Sequence, residues 1–258
     1  MKDKQEFFQI LGQLEGRELA EYKSLVGDFD FTRFVLKVNR VGDDAGGASV
    51  WFVVRVAQSV AGIPPHLFNT PIRRTALEDF LARNVAAACA QLARFDAAGV
   101  ARRRLGIAVP GQQILPRSSM VVSEDYVEAR MVLDMGGTPG ATLNLQAARD
   151  AFFEDLPAVV NASLIYCNLD DLAAGAFIDA MEDADSIRQA LSTRGWLAFV
   201  ADGSRLRRLP GQDLPDPSAP VLRVDEVAQV EKMLLRGGAL GQFRPTPLGY
   251  KLVGCHPR

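Results

Sequence analysis

The chain contains few of the residues on which metal centres and covalent catalysis commonly depend. Among its 258 residues are three cysteines and two histidines, and no two cysteines have the Cys-x-x-Cys spacing. Because tetrahedral zinc needs four ligands held close together, we expect no structural metal site. Scattered cysteines are typical of reducing compartments, so the composition predicts a cytoplasmic protein.

Long apolar runs and an excess of positive charge are also missing. No stretch approaches the ~18 apolar residues of a membrane-spanning helix, and the polar start of the chain lacks the apolar core of a signal peptide. We therefore expect no membrane partner. The formal charge of −2 argues against binding nucleic acid through overall positive charge. Any such binding would need a local basic patch.

The sequence has no motif for a phosphate-binding loop or for a nucleophilic serine. Gly-x-x-x-x-Gly-Lys-[Ser/Thr] is absent, as is Gly-x-Ser-x-Gly. The first motif places backbone amides and a lysine around phosphates, and the second exposes a serine on a sharp turn. We therefore name no catalytic residue, and we expect most of the acidic residues to cap helices or form turns.

Hydrophobic patterns predict several strands. Residues 34–38 alternate in polarity, residues 50–56 are rich in β-branched and aromatic side chains, and a turn-forming stretch separates them. This arrangement indicates an antiparallel hairpin. A further strand at residues 126–133 is predicted to bury one face and to leave Glu128 and Arg130 on the solvent-exposed face.

Apolar residues at helical spacing predict the helices. The longest pattern covers residues 75–98 and indicates the core helix. Shorter patterns predict helices at residues 159–169 and 171–193. Together with the strands, they indicate an α+β fold in which antiparallel strands pack with several helices.

Two segments carry arginines that are candidates for phosphate contact. Arg205, Arg207 and Arg208 follow the turn at Asp202-Gly203, and Arg117 is the last residue of the segment that begins at Gly111. Arginine suits phosphate because its guanidinium offers two parallel charged hydrogen bonds. The sequence leaves two interpretations open, an RNA or nucleotide phosphate contact and a solvated turn.

Five short segments occur in the order that they have in one protein family. They are GQQILPR at 111–117, EDYVEAR at 124–130, EDLP at 154–157, MEDAD at 181–185 and AFVADG at 198–203. With these segments, the chain resembles the N-terminal domain of the predicted ATPases of the ABC class from residue 17 to about residue 224. That family includes a mitochondrial RNA-editing ATPase of trypanosomes.

The resemblance implies a division of the chain and a set of ligands. Residues 1–210 are expected to form the N-terminal accessory domain. Residues 211–258 begin in a proline-rich stretch and are expected to be a linker and the truncated or divergent start of an ABC-type nucleotide-binding domain. ATP and magnesium are implied for the full-length family, but without a phosphate loop we expect no cofactor for this chain alone. A truncated or frame-shifted gene would account for the missing loop.

Three functions are therefore carried forward. The first is a truncated member of the ABC-class ATPase family that keeps the accessory domain and is not an autonomous ATPase. The second is a nucleic-acid or nucleotide-binding module, with RNA held by Arg117 and the arginines at 205–208. The third is an interaction subunit that packs against a complete ATPase paralogue or against its own copy.

Overall fold

Strands from the beginning and the middle of the chain build one sheet, and helices lie between them in sequence. The computed structural model describes residues 1–17, 19–44, 47–92, 94–95, 101–108, 116–134, 145–194, 198–201, 216–220, 231–234 and 240–244. The predicted α+β class is confirmed. The elements are β1 (Lys2–Asp3), α1 (Lys4–Gln13), β2 (Gly27–Asp30), β3 (Val35–Asp44), β4 (Gly47–Ala57), α2 (Gln58–Ala61), α3 (Pro71–Gln91), β5 (Arg94–Phe95), β6 (Ala101–Ile107), β7 (Met120–Val122), β8 (Tyr126–Asp134), α4 (Leu145–Asp150), α5 (Leu156–Ser163), α6 (Asp171–Arg194), β9 (Ala198–Ala201), β10 (Glu231–Leu234) and β11 (Leu240–Arg244).

The main sheet is mostly antiparallel. Its strands lie in the order β1-β2-β3-β4-β8-β6-β5, and β7 pairs with β8 beside β6. Only β1 and β2 run parallel among the pairs that the structure describes. The predicted hairpin is confirmed as β3 and β4, with a bulge between Val38 and Arg40. The bulge inserts one residue, so Val41 takes the core-facing position and Arg40 points to the other face.

The core lies between one face of this sheet and the helices. Phe7 of α1 is fully buried, and its ring makes edge contacts with Phe29, Phe31 and Phe152 at centroid distances of 4.7, 5.9 and 5.1 Å. Such edge-to-face pairs are favourable beyond the area that they bury. Asp3 caps α1 by accepting a 2.7 Å hydrogen bond from the backbone N of Glu6, so the helix that delivers Phe7 has a defined start.

The long core helix is α3, which begins earlier and ends earlier than its apolar pattern predicts. Thr70 caps it by accepting from the backbone N of Arg73, and Pro71 takes its first turn, where a missing N–H costs nothing. The predicted end at residue 98 is wrong, because the helix ends at Gln91 and Arg94–Phe95 pairs with β6. α3 contacts α5, α6, β6 and β7, so it joins the helical layer to the sheet.

The helical segment around Pro157 contains a π-helical turn. The turn spans Ala151–Asp155 between α4 and α5, and the backbone N of Leu156 donates to the carbonyl of Ala151. The wider turn lies directly before the proline, which has no N–H for the ordinary helical bond. The prediction of one helix over residues 159–169 is wrong, because α5 ends at Ser163 and a separate 3-10 turn covers Tyr166–Asn168.

A second, smaller sheet joins the two parts of the predicted division. Its three strands lie in the order β10-β11-β9, and both pairs are antiparallel. β9 belongs to the first 210 residues and β11 to the remainder, while the boundary itself stays a prediction. No helix in the part of the chain that the structure describes has the length and apolar content needed to cross a membrane.

Candidate functional site

One face of the main sheet carries polar and aromatic side chains. In β4 the buried Phe52 and Val54 alternate with the partly exposed Trp51 and the exposed Arg55, because successive side chains of a strand point to opposite faces. We call the face opposite the core the open sheet face. Its side chains on β3, β4 and β8 include Lys37, Arg40, Trp51, Val53, Arg55, Tyr126, Glu128 and Arg130.

Glu128 lies at the centre of the open sheet face and binds arginines from two strands. Arg55 stands directly opposite it in the register of β4 and β8. The Nη2 and Nε of Arg55 lie 2.8 and 3.2 Å from Glu128 Oε2, and the Nε of Arg130 lies 3.3 Å from Oε1. The hydrogen bond with Glu128 raises the pKa of the Arg55 guanidinium. Since two cations share one carboxylate, this cluster keeps a positive charge.

Two guanidinium groups stack on the aromatic rings of the open sheet face. The Cζ of Arg40 lies 3.6 Å from the Trp51 ring centroid, and the Cζ of Arg55 lies 4.4 Å from that of Tyr126. Arg40 and Trp51 are also opposite each other in the register of the hairpin. Stacking attracts the cation to the ring and fixes the guanidinium plane. The open sheet face therefore presents oriented, charged hydrogen-bond donors.

The predicted phosphate-contact residue Arg117 is bound to a buried carboxylate of α3, Asp79. Asp79 of α3 is fully buried, and its two oxygens each lie 2.7 Å from an arginine Nε, one from Arg83 and one from Arg117. The Arg117 side chain is 18% exposed. In this structure its Nε is thus engaged within the protein, and its proposed contact with phosphate stays a prediction.

The segment that carries Arg117 also reaches the open sheet face. The carbonyl of Ser118 accepts a 2.7 Å hydrogen bond from Nη1 of Arg130, and the carbonyl of Ser119 accepts from the backbone N of Arg130. Arg117 is held by α3 through Asp79, and the next two residues hold Arg130 in place. The buried ion pair therefore helps to position a cation on the opposite face.

A second carboxylate of α3 supports β7. Glu78 Oε1 accepts a 2.9 Å hydrogen bond from the backbone N of Val122. Burial raises the pKa of Glu78, and this effect outweighs the lowering by the Val122 hydrogen bond and by the charge of Arg74. Glu78 and Asp79 thus fasten neighbouring parts of the same sheet edge to the long helix.

The remaining predicted phosphate contacts cannot be compared with this geometry, since Arg205, Arg207 and Arg208 lie outside the described residues. Sequence reasoning placed Glu128 and Arg130 on one exposed face of a strand, and the structure puts both on the open sheet face. The predicted exposure of Glu128 is wrong, because it is buried against the two arginines that it binds. Sequence reasoning missed the partners of these residues and both arginine–aromatic stacks. The signal was present as an alternation of residues in β3 and β4, but alternation does not say which strands are neighbours.

The described residues give no place for the magnesium ion that the family resemblance implies. In the parts of the chain that the structure describes, no three His, Cys, Asp or Glu side chains converge as metal ligands. The carboxylates described above are bound by guanidinium or backbone N–H groups instead. We therefore assign no metal-dependent step to them.

Comparison with protein-family models gives a match. Residues 4–167 match a family model described as the N-terminal region of ATPases of the ABC class. The matched segment runs from α1 through α5 and contains the open sheet face and the Asp79 ion pair. No curated protein matches the chain significantly.

Proposed function

Since the chain belongs to the family of ABC-class ATPases, whose N-terminal domain it contains, we propose that these 258 residues act as an accessory part that does not hydrolyse ATP. The observation that carries the proposal is the lack of a Gly-x-x-x-x-Gly-Lys-[Ser/Thr] segment, because none of the lysines follows a glycine. Hydrolysis of this type needs the loop amides and lysine around the phosphates and a hydroxyl on the magnesium ion.

An accessory role is supported by the structural bonds that the carboxylates of the sheet and of α3 make. Asp79 and Glu78 fasten the long helix to the sheet edge, and Glu128 orients two arginines. Each of these carboxylates is occupied by a structural bond. Arg40, Arg55 and Arg130 are exposed on the open sheet face, where their contacts fix the direction of their donors, and this arrangement suits binding better than acid–base chemistry.

An assay of the purified chain tests the proposal. We expect no magnesium-dependent release of phosphate from ATP, and no saturable binding of a fluorescent ATP analogue. Each fraction across the gel-filtration peak is assayed, because a contaminating ATPase need not follow the protein profile. Turnover that follows the profile and rises in proportion to the chain concentration would show that the proposal is wrong.

A second role within the same family is that of an interaction subunit. The exposed Phe8 of α1 lies beside Phe153, with centroids 5.3 Å apart, in a shallow groove that also includes Lys4. A partly exposed aromatic pair next to a cation is a composition found at protein interfaces. We propose a complete ABC-class ATPase as the partner. If the chain co-purifies with the complete ATPase and Phe8→Glu abolishes this association, the role is supported. If Phe8→Glu leaves the association unchanged, the role is contradicted.

A further inference from the structure

Apart from the buried Glu128, the open sheet face has its cations in the middle and its carboxylates at the rim. Exposed cations lie on the central strands β3, β4 and β8, and we call them the cationic strip: Lys37, Arg40, Arg55 and Arg130. Asp28 and Asp30 lie on β2, towards the sheet edge, and Asp134 lies at the end of β8. Glu128 is within the strip but buried. A ligand lying along the strip therefore meets mainly positive charge.

The cationic strip also offers flat surfaces for stacking. The guanidinium planes of Arg40 and Arg55 are held against Trp51 and Tyr126 at 3.6 and 4.4 Å. The outer sides of the guanidinium planes can stack with nucleobases. Their orientation is fixed before any ligand arrives, which lowers the ordering cost of binding.

The size of the face favours a narrow ligand. Strands about 4.8 Å apart and residues about 3.3 Å apart along each strand give the patch from β2 to β8 that lies between the levels of Trp51 and Ala57 roughly 14 Å by 20 Å. That is far below the ~800 Å² that each partner contributes to a stable protein interface. A single extended chain fits such a strip, because sheet faces of this kind accommodate two or three stacked bases.

We infer that the open sheet face binds single-stranded RNA, with bases on the two guanidinium–aromatic stacks and phosphates on Lys37 and Arg130. The exposed Asp28 stands opposite Lys37 in the register of β2 and β3. Its carboxylate can accept a hydrogen bond from a ribose 2′-hydroxyl, whereas DNA offers it no such donor. This inference is independent of the proposal that the chain does not hydrolyse ATP.

Fluorescence anisotropy of the whole chain with a labelled single-stranded RNA of about 12 nucleotides tests the inference. With about two phosphate contacts, on Lys37 and Arg130, affinity should fall roughly 7-fold when salt rises from ~50 to ~200 mM. The matching DNA should bind more weakly. No RNA binding at low salt, or equal affinity for the DNA, would overturn the inference.

Charge-preserving variants separate stacking from charge. The double variant R40K/R55K keeps both positive charges but removes the planes, and it should lower RNA affinity roughly tenfold, as expected for the loss of base stacking. Arg188→Lys on α6 is the matched control, because Arg188 is 48% exposed and Arg55 is 49% exposed. Equal losses in the control and the double variant would contradict the assignment. Thermal unfolding of each variant checks that it is folded.

Two further variants decide between this face and the alternatives. Lys37→Gln should reduce the salt dependence by about one phosphate contact and leave folding unchanged, since Lys37 is exposed. A triple variant with alanine at 205, 207 and 208 should bind RNA as the wild type does. If that triple variant loses binding while R40K/R55K keeps it, the inference is wrong. A dimer that depends on Arg40 and Arg55, in a chain that does not bind RNA, would also overturn it.

Discussion

Removal of the Asp79 carboxylate should destabilise the fold more than removal of any surface carboxylate. Asp79 is fully buried and binds Arg83 and Arg117 at 2.7 Å each. Breaking a buried ion pair costs about 3–5 kcal/mol when the remaining charge stays buried. Here the arginine side chains are 34% and 18% exposed and can partly regain water. We therefore expect Asp79→Ala to lower the free energy of unfolding by about 2–3 kcal/mol.

Urea unfolding followed by circular dichroism measures this loss. In thermal unfolding, the same loss should lower the melting temperature by about 4–12 °C for a chain of this size. Asp185→Ala is the control, since Asp185 lies on α6 near the protein surface, 3.6 Å from Arg188. A surface pair of this kind contributes at most about 1 kcal/mol. If the two variants lose the same stability, or if Asp79→Ala loses less than the control, the structural role of Asp79 is refuted.

Two other predictions concern helix packing and pH. Gly175→Ala should stabilise α6 by about 1 kcal/mol, because a Cβ at this position meets nothing within 4 Å. Gly12→Ala should stabilise the protein less, because its Cβ would lie 3.2 Å from Arg149 Nη2. Thermal unfolding measures both changes, and equal gains would contradict this prediction. The pKa of Glu78 is raised in the folded state, so the folded state binds the proton more tightly than the unfolded state. The free energy of unfolding should therefore fall as pH rises from the unfolded pKa of Glu78 through its folded pKa. Glu78→Gln keeps an acceptor for Val122 but cannot titrate, so its free energy of unfolding relative to the wild type should improve over that pH interval. A difference that does not depend on pH would show that the titration of Glu78 is not involved.

Short-range patterns were enough to predict much of the sheet. The inward positions of β8 are Val127, Ala129, Met131 and Leu133, and all four are buried as their alternation predicts. The hairpin followed from two strand-like stretches around a turn-forming segment. Both signals are local, because the pleat of a strand and the geometry of a turn are set by residues close together in sequence.

Helix ends were less predictable because tertiary pairing competes with helical spacing. Leu92 and Phe95 continue the apolar period of α3, yet the helix ends at Gln91. The backbone of Arg94–Phe95 pairs with β6 instead, and that strand was not predicted. A periodic pattern records which side chains are apolar, but a neighbouring strand decides whether the backbone stays helical.

The sequence by itself determined the family of this chain, the sides of its central strands and the lack of a phosphate-loop motif, since each of these depends on residue identity or on local spacing. Only the tertiary structure decided which charges meet. Arg117 binds a carboxylate 38 positions earlier, and Arg55 binds one 73 positions later. The first pair depends on the packing of α3 against the sheet, and the second depends on strand order and register. The alternation of a strand fixes which face a side chain takes and leaves open which neighbour it meets.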